Sequence, residues 1–281
     1  MIGALPLPYP FESAEAQRAL IACLAVGVFA PTIGTFLVQK RLSLVGDGVG
    51  HVAFAGVGAG LLLQVWPVWT ALAFAVAGAI GVEWLRLRRQ AAGDLALALF
   101  FYTGIALGGV LASRAGGLEL ETLPYLFGDP YAVTWTGVAT IVALGVLVVV
   151  AMRFAARALF AIVTDEDWSK VTGLPVGPLS VALAGLTAAV IVAGMRIVGI
   201  LLIAAMMVLP VASGQLVARS FRGTLRVSVG IGAVSSLGGL AIARPLGLTA
   251  GGSIVFVAAA IFTAVALGKR AAPRALRQEV H

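Results

Sequence analysis

Long apolar stretches, separated by short polar or glycine- and proline-bearing breaks, dominate the chain. Nine of them run near Gln17–Val38, Gly46–Gln64, Pro67–Leu87, Asp94–Ser113, Tyr131–Met152, Gly177–Gly194, Ile197–Ala218, Thr224–Ala243 and Ala250–Gly268. A helix of about 20 apolar residues crosses a hydrocarbon core roughly 30 Å thick. Turn signals mark the breaks: Pro67, Gly93-Asp94, Asp129-Pro130, Pro175 with Pro178, and Arg244-Pro245. Backbone polar groups in lipid must be satisfied within the segment, which apolar runs of this length achieve as helices. The pattern predicts an all-α integral membrane protein, a polytopic bundle of about nine transmembrane helices with eight as the alternative count. No hydrophilic block is large enough for a second folded unit, so residues 1–281 read as one membrane domain.

Composition strengthens that reading. The chain is 60% apolar and only 11% charged, where a soluble domain is about half apolar and a quarter charged. Charge then sets the orientation. Alternating the loops puts Lys40, Arg41, Arg86, Arg88, Arg89, Arg153, Arg157, Lys170, Arg219, Arg222, Arg226, Lys269, Arg270, Arg274 and Arg277 on one side. Arg18, Arg114, Arg196 and Arg244 fall on the other, a split of fifteen against four. Cytoplasmic loops collect Lys and Arg. The chain is therefore expected to cross its membrane many times, with the N-terminus outside and the C-terminus cytoplasmic. Residues 1–16 become an extracytoplasmic segment and 269–281 a cytoplasmic basic tail. The net charge of +7 is thus a sign of orientation, and no nucleic-acid partner is expected. The first residues carry Glu12 and Glu15 but no basic cluster, which argues against a cleaved signal peptide. Cys23 is the single cysteine, so neither a disulfide framework nor a cysteine metal site is expected. Glycines at four-residue spacing, such as Gly56 with Gly60 and Gly104 with Gly108, suit close helix packing in lipid.

Candidate chemistry begins in GDGVGHVAFAGVGAG, Gly46 to Gly60. Asp47 and His51 stand four residues apart, on one face of the predicted second helix. Charge near a helix centre in lipid costs at least about 2.5–3.5 kcal/mol, and such residues usually line a path or an interior. A carboxylate oxygen and an imidazole nitrogen suit zinc or manganese. A proton relay and a purely structural role, with Asp47 capping the helix and His51 bonding a neighbour, remain open on these residues alone. Two ligands do not fill a coordination shell, so the others must come from elsewhere in the bundle, from water, or from a second copy of the helix.

Two loops add to this. LELETLPYLFGDPYAV places Glu119, Glu121 and Asp129 on the outer side with no basic residue, a weaker candidate for an acidic metal mouth or simply a solvated loop. In ALFAIVTDEDWSKVTGLPVG, Thr164 reads as a helix cap followed by Asp165, Glu166 and Asp167 at the positive end of a short helix. That helix continues through Trp168 and Lys170 to Gly173 and suggests either docking to a cytoplasmic partner or an interfacial anchor. No G-x-x-x-x-G-K-[ST] segment occurs, so any ATP site would lie on another polypeptide. H-E-x-x-H and G-x-S-x-G are missing too, and no enzyme activity is expected.

KRLSLVGDGVGHVAFAGVGAG, YLFGDPYAVT and MRIVGILLIAAMMVLPVASGQLVARSF together resemble the permease subunits of bacterial metal-ion ABC importers, those for zinc, manganese or iron. The likeness covers most of residues 20 to 268. It implies the helical fold of the cobalamin and siderophore ABC importer permeases, embedded in membrane lipid and working as a homodimer. It also implies a cytoplasmic ABC ATPase dimer that holds the ATP and an extracytoplasmic metal-binding protein. The metal is cargo, and no permanent cofactor is expected. The resemblance associates Asp47 and His51 with the metal path and residues 161–174 with the coupling helix, making Asp165, Glu166, Asp167, Trp168 and Lys170 ATPase-coupling candidates. In DLALALFFYTGIALGGVL, Tyr102 stands where some zinc-type members carry a histidine. The expected function is a permease for zinc or manganese using alternating access. Its rival is a proton-coupled secondary transporter or channel that needs no ATPase.

Overall fold

The computed structural model describes residues 12–87, 93–116 and 122–271. Its helices are α1 (Ala14–Gln39), α2 (Val45–Leu62), α3 (Pro67–Leu87), α4 (Gly93–Arg114) and the short α5 (Leu123–Phe127). A 3-10 turn at Pro130–Ala132 leads into α6 (Trp135–Thr164) and the short α7 (Glu166–Val171). The chain then forms α8 (Val176–Met195), α9 (Ile200–Val217), α10 (Phe221–Leu246) and α11 (Ala250–Ala271). Among the described residues, nine of these helices are long and apolar enough to cross a membrane, in agreement with the predicted count. Residues 1–11 of the N-terminal segment and 272–281 of the basic tail lie outside the described residues.

Helix ends follow from local chemistry. Ser13, Thr134 and Ser220 cap α1, α6 and α10 by accepting backbone N–H bonds. Gly247, in the left-handed conformation at φ 64°, ends α10. The fifth span is longer than the sequence suggests. α6 continues past Met152 to Thr164, 30 residues in all, or about 45 Å at 1.5 Å per residue. Its last turns therefore overhang the hydrocarbon and deliver the chain to α7.

The bundle has two layers. Within its apolar window α2 is 78% buried, and α1 and α8 are also mostly buried; α4 is 22% buried, and α3, α6, α10 and α11 likewise form an outer shell. Small residues permit this layering. α2 packs chiefly against α4 and α3, with α9 and α8 on its other sides. Its closest approach to α4 is backbone to backbone. A Cβ on Gly104 would lie 2.6 Å from the His51 carbonyl carbon and 2.7 Å from the Val52 nitrogen, so only glycine lets the two helices meet there.

The two ends of the bundle carry different contacts. At one end Lys40, Arg86 and Lys170 converge on shared carboxylates. At the other, Arg244 donates to Ser13 at 3.3 Å, and the Asp129 N–H donates to the Arg196 carbonyl at 2.9 Å.

Gly104→Ala should force α4 away from α2. Overpacking of this kind costs roughly 1–3 kcal/mol, so the purified variant is expected to melt at lower temperature than the parent chain in the same detergent. An unchanged melting temperature would show that the helices separate without penalty.

Candidate metal passage and docking helix

Asp47 lies in the first turn of α2, and no side chain caps that helix start. Among the described residues, no hydrogen bond or ion pair reaches its carboxylate, which is half-buried. The capping role that competes with metal binding is therefore not the one its side chain plays. His51, one turn further on, is buried at 8% exposure. Its ring meets Phe101 of α4 edge-on, with centroids 4.3 Å apart. Phe101 in turn meets Tyr102 at 5.3 Å, and Tyr102 stands on the exposed side of α4. The imidazole is thus wedged in place by an aromatic edge, with neither ring nitrogen hydrogen-bonded among the described residues. Residues at i and i+4 bring their Cβ atoms within about 5–6 Å, a separation one small cation can bridge. No third His, Cys, Asp or Glu joins them among the described residues.

The outer loop has a different character. Glu119 and Glu121 lie outside the described residues. Asp129 accepts from the N–H groups of Tyr131 and Ala132 at 3.1 and 3.3 Å, capping the 3-10 turn. Before it, Gly128 adopts φ 77°, and a Cβ there would collide with the Ile197 carbonyl. Arg196 holds its guanidinium 5.4 Å from the Tyr125 ring centroid. Together these contacts make YLFGDPYAVT a clasp that seats α5 and the 3-10 turn on the α8–α9 junction.

At the opposite end, α7 is a short helix capped by Asp165, which accepts the Trp168 N–H at 2.9 Å. The cap is one residue later than the Thr164 read from sequence. Thr164 closes α6 instead, its hydroxyl donating to the Phe160 carbonyl at 2.8 Å. α7 then presents two faces. Asp167 and Trp168 are exposed, Trp168 at 66%, and Val171 joins them. Glu166 turns the other way, lying 3.3 Å from Arg86 and 3.1 Å from Lys170. Burial pushes the Glu166 pKa up, but Arg86, Lys170 and Lys40 together outweigh it and hold the carboxyl below the ordinary glutamate range.

Sequence reasoning missed the centre of that network. Glu83 of α3 is buried and takes a bidentate bond from Arg86 at 2.6 and 2.9 Å. Lys40 lies 3.8 Å from both Glu83 and Glu166, and donates to the Ser180 hydroxyl at 2.7 Å. One signal was available: Glu83 precedes Arg86 by three residues, a helical pair at the end of an apolar run. The long-range partners on α1, α7 and α8 carry no local mark.

Nine long apolar helices among the described residues, packed closely through glycine, define a polytopic helical membrane protein. Comparison with known proteins supplies the family. Residues 13–269 match the ABC 3 transport family, and the chain belongs to it. It is a permease subunit of the ABC transporter kind. The manganese import system permease protein ScaB of Streptococcus gordonii is 29% identical over 246 residues, covering 88% of each chain. The high-affinity zinc uptake system membrane protein ZnuB of Haemophilus influenzae is 26% identical, over 87% of this chain and 94% of its own. Among solved structures, PsaBC from Streptococcus pneumoniae in complex with Fab superposes with a TM-score of 0.82 at 29% identity, covering 90% of this chain and 91% of that one.

The Glu166 pairing has a pH signature. A carboxylate whose folded pKa is depressed contributes stability above its unfolded pKa and loses it as pH falls through the folded value. The parent chain should therefore melt higher than Glu166→Gln at neutral pH, and the gap should close on acidification through the depressed pKa. A gap that persists at low pH would mean that the carboxylate's charge is not what stabilises.

Proposed function

We propose that this chain is the membrane permease of an ATP-driven importer of a divalent transition metal, zinc or manganese. It would work as a homodimer with a cytoplasmic ABC ATPase dimer and an extracytoplasmic metal-binding protein. The basic end, with α7, faces the cytoplasm in this reading, and the N-terminus lies outside. The observation that carries it is the Asp47 carboxylate, unpartnered among the described residues, one turn from the wedged His51 on a buried helix, in a chain whose relatives include permeases named for manganese and for zinc.

The proposed mechanism is alternating access. A loaded binding protein delivers the ion at the end bearing the Asp129 clasp. Asp47 supplies a hard, charged oxygen and His51 a borderline nitrogen, a pair that manganese and zinc both accept. Two donors leave the shell open for water or for the same pair on the second copy, and the ion can leave again. A complete shell would trap it. On the cytoplasmic side, the exposed Asp167, Trp168 and Val171 of α7 form the face offered to the ATPase, with Asp165 fixing the helix start. Glu166 and Lys170, the remaining coupling candidates, grip the bundle from the other side of the helix. Glu119, Glu121 and Asp129 are retained as a weaker acidic mouth, in which Asp129 also holds its own turn.

Asp47→Ala and His51→Ala are expected to lower metal uptake by at least about 10- to 100-fold, since even partners one shell removed from a metal are worth that much. The ATPase should still co-purify with both variants. Radiolabelled manganese and zinc uptake in proteoliposomes containing the assembled complex checks this. Full uptake by the variants would overturn the assignment of the path. Uptake driven by a pH gradient in vesicles holding this chain alone would favour the proton-coupled rival.

A further inference from the structure

The charge network at the cytoplasmic end joins α7 to the turn that opens α2. Lys40 caps the C-terminus of α1. At the edge of a bilayer a lysine can reach water along its own stem, yet this side chain is folded inward and only 6% exposed. Burial pulls its pKa down, and Glu83 and Glu166 oppose that pull. The residues that follow form a stiff link. Arg41 takes a left-handed conformation at φ 58°, the Leu42 N–H donates to the Leu37 carbonyl at 2.8 Å, and the Val45 N–H donates to the Leu42 carbonyl at 3.1 Å. Asp47 is then two residues into α2. A small cavity lined by Lys40, Leu42, Val45, Glu83, Leu97 and Ser180 lies beside the link.

We propose that Lys40 is a positioning residue for transport, which through Glu166 ties α7 to the α1–α2 turn so that displacement of α7 is carried to Asp47. The proposal rests on the reading of the chain as an ATP-driven permease. Its geometry is that of a shared carboxylate: Glu166 is held by Arg86 from α3, by Lys170 from its own helix and by Lys40 from the turn. Arg86 anchors α7 to the frame, and Lys40 is the member that leads to the metal pair. Glue alone would not require Lys40, because Arg86 already pairs with both carboxylates.

Two substitutions cut this tie without stranding a charge. In Lys40→Gln, Glu83 keeps Arg86, and Glu166 keeps Arg86 and Lys170. In Glu166→Gln, Arg86 keeps Glu83, Lys170 keeps Asp167, and Lys40 keeps Glu83 and Ser180. The complete complex with ATPase and binding protein is reconstituted in proteoliposomes, and manganese uptake and ATP hydrolysis are measured on the same vesicles. Each variant should co-purify the ATPase in the parent ratio and consume roughly 2- to 30-fold more ATP per manganese ion delivered, the range by which residues along a coupling chain act. The double variant should be no worse than the more affected single one, because both cut the same link. An unchanged ratio in both singles, or effects that multiply in the double, overturns the proposal. Loss of ATPase assembly in Lys40→Gln also counts against it, since the tie would then be structural. If the parent complex itself shows no ATP-dependent manganese uptake, the importer reading falls and the tie with it. Normal parent uptake with indifferent variants removes the tie alone.

Discussion

The contact on which the rest depends is the backbone-to-backbone approach of α4 to α2 at Gly104. Lipid offers helices no hydrophobic drive to associate, so they must fit closely enough for dispersion and small-residue packing to hold them. Because Gly104 has no side chain, α4 comes close enough for Phe101 to wedge the His51 ring. A bulkier residue there would push α4 away and loosen the contact between Phe101 and the His51 ring. The mostly buried α2 thus carries Asp47 in its first turn and the buried His51 one turn further on.

The two ends of the bundle are built on contrasting chemistry. One is a clasp of backbone contacts and a capped turn around Gly128 and Asp129, with Arg196 over Tyr125. The other is a buried ion network in which Glu83 and Glu166 are each shared between cations. Because each carboxylate is shared, removing one cation leaves it another partner, and the network links the elements of the basic end without depending on any single pair. In the importer reading, that is the end that receives the force of ATP binding.

Much of this was legible in the sequence, for identifiable reasons. Span length and Lys/Arg sorting depend on bilayer thickness and on loop charge, both local properties, and the nine helices and the two ends followed from them. That Asp47 and His51 sit one turn apart on a single helix was legible because four-residue spacing needs no tertiary knowledge. The overhang of α6 was not, because Arg153 and Arg157 break the apolar run without breaking the helix. The cap of α7 was displaced by one residue because Thr164 and Asp165 are both competent caps, and the hydroxyl found a carbonyl within α6. The Lys40–Glu83–Glu166 cluster was invisible because its members are tens of residues apart and meet only through the packing of α1, α3 and α7.

The central claim is that a divalent metal passes between the Asp47 carboxylate and the His51 ring. Anomalous diffraction at the manganese edge, from crystals of the assembled complex loaded with manganese, tests it most directly. A peak within coordination distance of both side chains is the predicted result. Manganese peaks confined to other positions, with Asp47 and His51 both turned to lipid or sealed from every aqueous route, would contradict it.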